Sequence, residues 1–147
     1  MHLLLAGRNV TQDNTVLFSQ CIDLDITAKV TFLGQLDETW QFYQMIDIFI
    51  LPSLTEGFPN VVGEAMSCEI PCVVTKAGDA PNIIGDTGII IEGYDVSAIK
   101  KALMVMLGFS KKHRKLLGAA ARHRIINKFS IKSIAQQYQQ LYFDAFT

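Results

Sequence analysis

Ile48-Phe49-Ile50-Leu51-Pro52-Ser53-Leu54-Thr55-Glu56-Gly57-Phe58-Pro59-Asn60-Val61-Val62-Gly63-Glu64-Ala65-Met66 reads as a strand, a loop and the opening of a helix. The first four residues are continuously apolar, which suits a strand covered on both faces of a parallel sheet. Pro52 stops it, Gly57 lets backbone approach a ligand, and Asn60 is expected to cap a helix over about 61–68. Ligands of open α/β sheets bind where loops leave the carboxyl ends of strands, so this loop is the first place to look for chemistry.

Outward from that stretch the alternation repeats. Leu3-Leu4-Leu5-Ala6, Val30-Thr31-Phe32-Leu33, Cys72-Val73-Val74-Thr75 and Ile89-Ile90-Ile91 are further strand candidates, separated by helices near 14–24, 37–46, 60–68 and 80–84. The order predicts an α/β fold: an open, mainly parallel, Rossmann-like sheet of about five strands flanked by helices, with right-handed crossovers. After Tyr94 the strand signals cease. Helical spacing over 95–108, 111–127 and 130–146 predicts closing helices, with Asp95 and Ser130 as N-caps. With no repeat and no linker, 1–147 is expected to be a single domain, its α/β part covering 1–94 and its helical part 95–147.

A chain of 147 residues, half of them apolar and 18% charged, has a globular composition. It is long enough to bury roughly 70% of its unfolded surface. No apolar run approaches the roughly 18 residues of a membrane span, and no secretion signal opens the chain, so the expected compartment is the cytosol. Cys21, Cys68 and Cys72 lack zinc-site spacing and read as buried thiols. His2, His113 and His123 share no ligand spacing and read as surface residues, so no metal is expected.

Charge is distributed unevenly. Residues 1–95 carry thirteen acids against Arg8, Lys29 and Lys76, whereas 96–147 carry ten bases against Asp144. An anion bound by the first segment therefore needs helix ends or outside cations to receive it. In the loop-helix stretch, the N-terminus of the 61–68 helix supplies free amides and a positive dipole end. Glu64, just over one turn in, is placed to accept hydrogen bonds from ribose hydroxyls, and Glu56 to reach a sugar or its departing phosphate. Gly63 in mid-helix costs about 1 kcal/mol relative to alanine, which suggests close packing there. Two glutamates eight residues apart are otherwise commonplace; the string around them gives the pair its weight.

That string, from Pro52-Ser53 through Glu56-Gly57-Phe58-Pro59 to Glu64-Ala65-Met66, resembles the motif of retaining glycosyltransferases with two facing Rossmann-like domains, particularly family 4. The likeness extends to Leu4-Leu5-Ala6-Gly7, Val30 to Gly34, Ile70 to Val74, Gly78 to Gly88 and Phe129-Ser130, and so covers nearly the whole chain. It implies the C-terminal, nucleotide-sugar-binding part of such an enzyme. Glu64 would hold the ribose, Glu56 would be the catalytic carboxylate, and Gly57, Phe58, Pro59 and Asn60 would offer backbone groups to donor sugar and phosphates. Val61 and Val62 would shape the nucleotide pocket, and Gly34 would lie beside the base. The implied reaction transfers a hexose-type sugar from a nucleoside diphosphate sugar to a saccharide or lipid-linked acceptor with retention, without cofactor or metal, in cell-surface polysaccharide or glycan synthesis.

Three departures from the family pattern set further expectations. The family's donor domain begins with an earlier strand and helix bearing an arginine and a lysine, which Arg8 does not match; the acceptor domain is absent; and Asp79 and Asn82 stand where glycine and glutamate are usual. The chain is therefore expected to be N-terminally incomplete, inactive alone and, with a central strand missing, prone to self-association. A non-catalytic nucleotide-binding or partner-binding module is the alternative. The basic helix 111–128 reads as a solvated face, with anionic lipid at the inner membrane face or a preceding domain as its other possible neighbours; nucleic acid is not expected. Trp40 and Phe42 read as packing residues.

Overall fold

A computed structural model describes residues 1–146, in two compact units: Met1–Thr39, and a larger one beginning at Trp40. In the first unit β1 (Leu3–Ala6) pairs in parallel with β2 (Val30–Gly34), in the register Leu3 with Val30 and Leu5 with Phe32. The crossover carries α1 (Thr15–Asp23), capped by Asn14, whose side-chain oxygen accepts from the Leu17 amide at 3.2 Å. Gly34 ends β2 at φ +67°. Its amide donates to the Val10 carbonyl and its carbonyl accepts from the Gly7 amide, both at 2.8 Å, so the loop after β1 closes on backbone where a side chain would be strained.

The second unit runs α2 (Thr39–Met45, all but its first residue), β3 (Phe49–Leu51), α3 (Asn60–Ser67), β4 (Cys72–Thr75), α4 (Ala80–Ile84), β5 (Ile89–Ile91), α5 (Val96–Gly108), α6 (Lys111–Lys128) and α7 (Ile131–Phe146). Its parallel sheet has the order β3-β4-β5. All four residues of β4 are buried, as a continuous apolar run on a central strand demands. On one side Val73 and Ile91 pack with Ala102 and Met106 of α5. Val62, Ala65 and Met66 of α3, with Ile83 and Ile84 of α4, are all fully inaccessible.

All five expected strands form, and all are parallel, but they divide into two hydrogen-bonded sheets rather than one. Among the described residues β1 pairs only with β2, and β3 only with β4, so each is an edge within its own sheet. The expected caps act: Asp95 Oδ1 accepts from the Ala98 amide at 2.8 Å, and Ser130 Oγ from Ser133 at 3.2 Å. Phe42 is buried as expected, whereas Trp40 is half exposed, because residues 40 and 42 point to different sides of a short helix. Cys21 and Cys72 are buried free thiols; Cys68, at the end of α3, is only partly covered. The three histidines are exposed.

The basic helix α6 is not simply a solvated face. The Arg122 guanidinium donates to the Ser67 carbonyl at 3.0 Å, and Arg124 donates to the carbonyls of Ile83 at 2.8 Å and Asn82 at 2.7 Å. These are last-turn carbonyls of α3 and α4, where helix dipoles are negative and acceptors lack partners. Gly118 is buried against the Glu69 carbonyl, an approach that a Cβ would block. Arginines thus tie α6 inward, while Lys111, Lys112, Lys115 and Lys128 are exposed. On α7 the expected apolar stripe is present but uncovered among the described residues, with Tyr138, Leu141 and Tyr142 each more than half exposed. No helix of the described residues is long and apolar enough to cross a membrane.

Candidate functional site

The loop between β3 and α3 is held from two directions. Thr75, fully buried at the end of β4, donates its hydroxyl to the Ser53 carbonyl at 2.5 Å, fixing the loop's exit from the sheet. Ser53 Oγ then donates to Glu56 Oε1 at 2.7 Å. Gly78 lies against the carbonyls of Glu56 and Gly57 at φ +51°, in space that no Cβ could share, and the Asp79 amide donates to the Gly57 carbonyl at 2.9 Å. The Glu56 backbone is therefore braced by the loop after β4, and its carboxylate is oriented by a neighbouring hydroxyl. The brace is made of backbone atoms of Glu56, Gly57, Gly78 and Asp79.

Glu64 sits one turn into α3 and is half-buried, neither sunk in the core nor fully solvated. The hydroxyl of Tyr43 on α2 lies 3.0 Å from its Oε2 and 3.2 Å from the Val61 carbonyl. Burial first, and then the bond to Glu64, hold the Tyr43 hydroxyl well above its ordinary pKa, so it stays protonated and donates. Tyr43 is only 2% exposed, with Phe42 and Phe49 set edge-on to its ring at 5.5 and 5.9 Å.

The start of α3 differs from the expectation in two respects. Asn60 is the first helical residue and makes no cap; Pro59 occupies the capping position and has no side-chain acceptor. Asn14, Asp95 and Ser110 cap α1, α5 and α6, whereas the capping residues of α3 and α4 make no side-chain bond. Gly63 is not there for close packing either: a Cβ would meet only Ile125 Cδ1, at 3.9 Å. A Cβ on Gly57 would meet nothing within 4 Å, so the backbone faces open space. Phe58 is half exposed and tilts against Phe129 at 6.0 Å. Pro59 is buried, Asn60 is exposed and Val61 is partly exposed. Val62 faces the core, so only its backbone could meet a ligand. Gly34 belongs to the first unit, at the end of β2.

The structure thus places Glu56 and Gly57 in the loop before α3 and Glu64 one turn into it, and adds Tyr43, Ser53, Thr75 and Gly78 as their neighbours, to which the sequence reading gave no role there. Tyr43 had a signal: a tyrosine among packing aromatics needs a partner for its hydroxyl. The bond from Thr75 to Ser53 spans 22 residues and left no local trace.

Comparisons with known proteins agree with this architecture. The family model described as "Glycosyl transferases group 1" matches residues 1–108. An N-acetyl-alpha-D-glucosaminyl L-malate synthase of Bacillus anthracis is 34% identical over 124 residues, covering 83% of this chain and 32% of its own length. The chain thus spans about a third of that relative. A structure of Anabaena Alr3699/HepE in complex with UDP and glucose superposes with a TM-score of 0.81 at 23% identity, over 97% of this chain and 40% of that one. The C-terminal domain of a glycosyl transferase group 1 family protein from Francisella tularensis superposes with a TM-score of 0.71 at 18% identity, over 88% of this chain and 85% of that domain. With the fold matched at both scales and the family model spanning more than half of its length, this chain belongs to the group 1 glycosyl transferases.

Proposed function

We propose that the chain forms the donor-binding part of a retaining glycosyltransferase, which moves a hexose-type sugar from a nucleoside diphosphate to a saccharide or lipid-linked acceptor. Glu64 accepts hydrogen bonds from the ribose hydroxyls. The uncapped amides of α3 and the backbone of Gly57 to Asn60 receive the diphosphate, and Glu56 addresses the sugar and its departing phosphate. The observation that supports the reading is that both carboxylates are held by hydroxyls, Glu56 in the loop before α3 by Ser53 and Glu64 one turn into α3 by Tyr43. Donors fixed in advance cost little reorganisation when charge develops on the leaving diphosphate. The UDP and glucose held by the Anabaena protein support a uridine nucleotide as the first probe.

Acceptor binding is assigned to protein outside this chain, since the chain spans about a third of its Bacillus relative. Titration calorimetry with UDP and GDP tests the reading: one of them binds the parent chain, and Glu64→Ala weakens it at least tenfold, consistent with losing a charged acceptor worth about 1.5–3 kcal/mol. Binding of neither by the parent overturns the donor-site assignment. Sugar transfer by the chain alone contradicts the division of labour, and nucleotide binding with no transfer even beside an added acceptor domain favours a non-catalytic module.

A further inference from the structure

We propose that Tyr43 is a positioning residue that sets the preference of this site for ribose over deoxyribose, by fixing the Glu64 carboxylate toward the ribose hydroxyls. The proposal rests on the donor-site reading above and deepens it. Three observations carry it. The Tyr43 hydroxyl is 3.0 Å from Glu64 Oε2, a bond between α2 and α3 that spans 21 residues. The ring has no freedom to re-aim that hydroxyl, being 2% exposed and set edge-on between Phe42 and Phe49. The same hydroxyl is 3.2 Å from the Val61 carbonyl, so its single proton is anchored to the helix backbone as well as to the carboxylate.

A glutamate side chain has three rotatable bonds, and each rotamer aims its carboxylate differently. A charge-assisted bond from a rigid donor selects one of them. A carboxylate has about four lone-pair sites, so a bond from tyrosine orients the group without exhausting its capacity to accept from a sugar. The cost of reorienting Glu64 is then met on folding rather than on binding, and falls on the contact to the 2-hydroxyl and 3-hydroxyl alone. A purely structural tyrosine would act on every ligand equally. A positioning tyrosine acts on the ribose contact and leaves the phosphate contacts as they were.

The experiment compares UDP with 2′-deoxy-UDP, and GDP with 2′-deoxy-GDP, by titration calorimetry on the whole chain and on Tyr43→Phe, Glu64→Ala and the double variant. Phenylalanine keeps the ring and its packing and removes only the hydroxyl. The parent prefers the ribonucleotide; Tyr43→Phe reduces that preference about fivefold, with a smaller loss for the deoxynucleotide, which keeps only the 3′-hydroxyl contact. In the Glu64→Ala background Tyr43→Phe has no further effect on the ratio. An undiminished preference in Tyr43→Phe overturns the proposal and leaves the donor site standing, as does an equal loss of affinity for both nucleotides. A parent that binds none of the four overturns the donor-site reading and the proposal with it.

Discussion

Residues 1–39 and the unit that follows are built from the same alternation of strand and helix, but they bury very different cores. In the first unit Cys21 and Val30 are the apolar side chains that reach burial, while Val16, Ile22 and Leu24 on and after α1 are more than half exposed. In the second, Val62, Met66, Val73, Val74, Ile83, Ile84 and Met106 are all fully inaccessible. The carboxylates of the candidate site, and the tyrosine, serine, threonine and glycine that hold them, belong to the second. Placing a carboxylate within a few tenths of an ångström requires neighbours that cannot move, and close-packed side chains supply that.

The contrast is broken most directly by truncating apolar side chains on each side of it. Ile84→Ala is expected to destabilise the chain by about 2–5 kcal/mol, because Ile84 is fully buried between α4 and the sheet. Val16→Ala, at a position 65% exposed, should stay within about 0.5 kcal/mol. Urea denaturation followed by circular dichroism measures both, and equal losses would show that the two cores matter alike.

A smaller effect is expected where α6 meets the end of α3. Gly118→Ala places a methyl against the Glu69 carbonyl and should cost about 1–3 kcal/mol, through a shift of α6 away from α3. Gly108→Ala meets nothing within 4 Å and is the control. Thermal melting of the two variants sharpens the point, since the glycines differ in surroundings rather than in chain chemistry.

A last effect is electrostatic and again belongs to the second unit. Burial pushes the Cys72 thiol up to about 12 from an ordinary 9.0. Below pH 9 both folded and unfolded chains hold the proton. Between pH 9 and about 12 the unfolded chain releases it and the folded chain does not, so stability falls as pH rises, by up to about 1.4 kcal/mol per pH unit. Tyr43, also raised, acts in the same direction. Urea midpoints at pH 8.0 and 10.5 should therefore separate, and Cys72→Ala should narrow the gap; an unchanged gap would remove Cys72 from the account.

Much of the molecule is legible in its sequence. Runs of three or four mostly apolar residues mark all five strands to within a residue, and β4, buried at every position, shows the reason, since a strand covered on both faces needs apolar side chains at consecutive positions. Asp95 and Ser130 were legible as caps because capping is local, from a side chain to an amide three residues on. The same local rule misplaced Asn60. Proline precedes it, and the helix begins at Asn60 itself, so its side chain is one residue too late to cap. The carboxylates stood out through the string that contains them, but what holds them did not.

What the sequence by itself determined is the order and kind of the elements. These depend on neighbours within about four residues. Only the tertiary structure decided that Tyr43 aims Glu64, that Thr75 anchors Ser53, that Gly78 braces Glu56 and that the α6 arginines close α3 and α4. These contacts join residues from 21 to 55 positions apart. They exist because close packing brings distant helices and loops together, and buried or partner-poor polar groups must then find whatever donor or acceptor lies within reach.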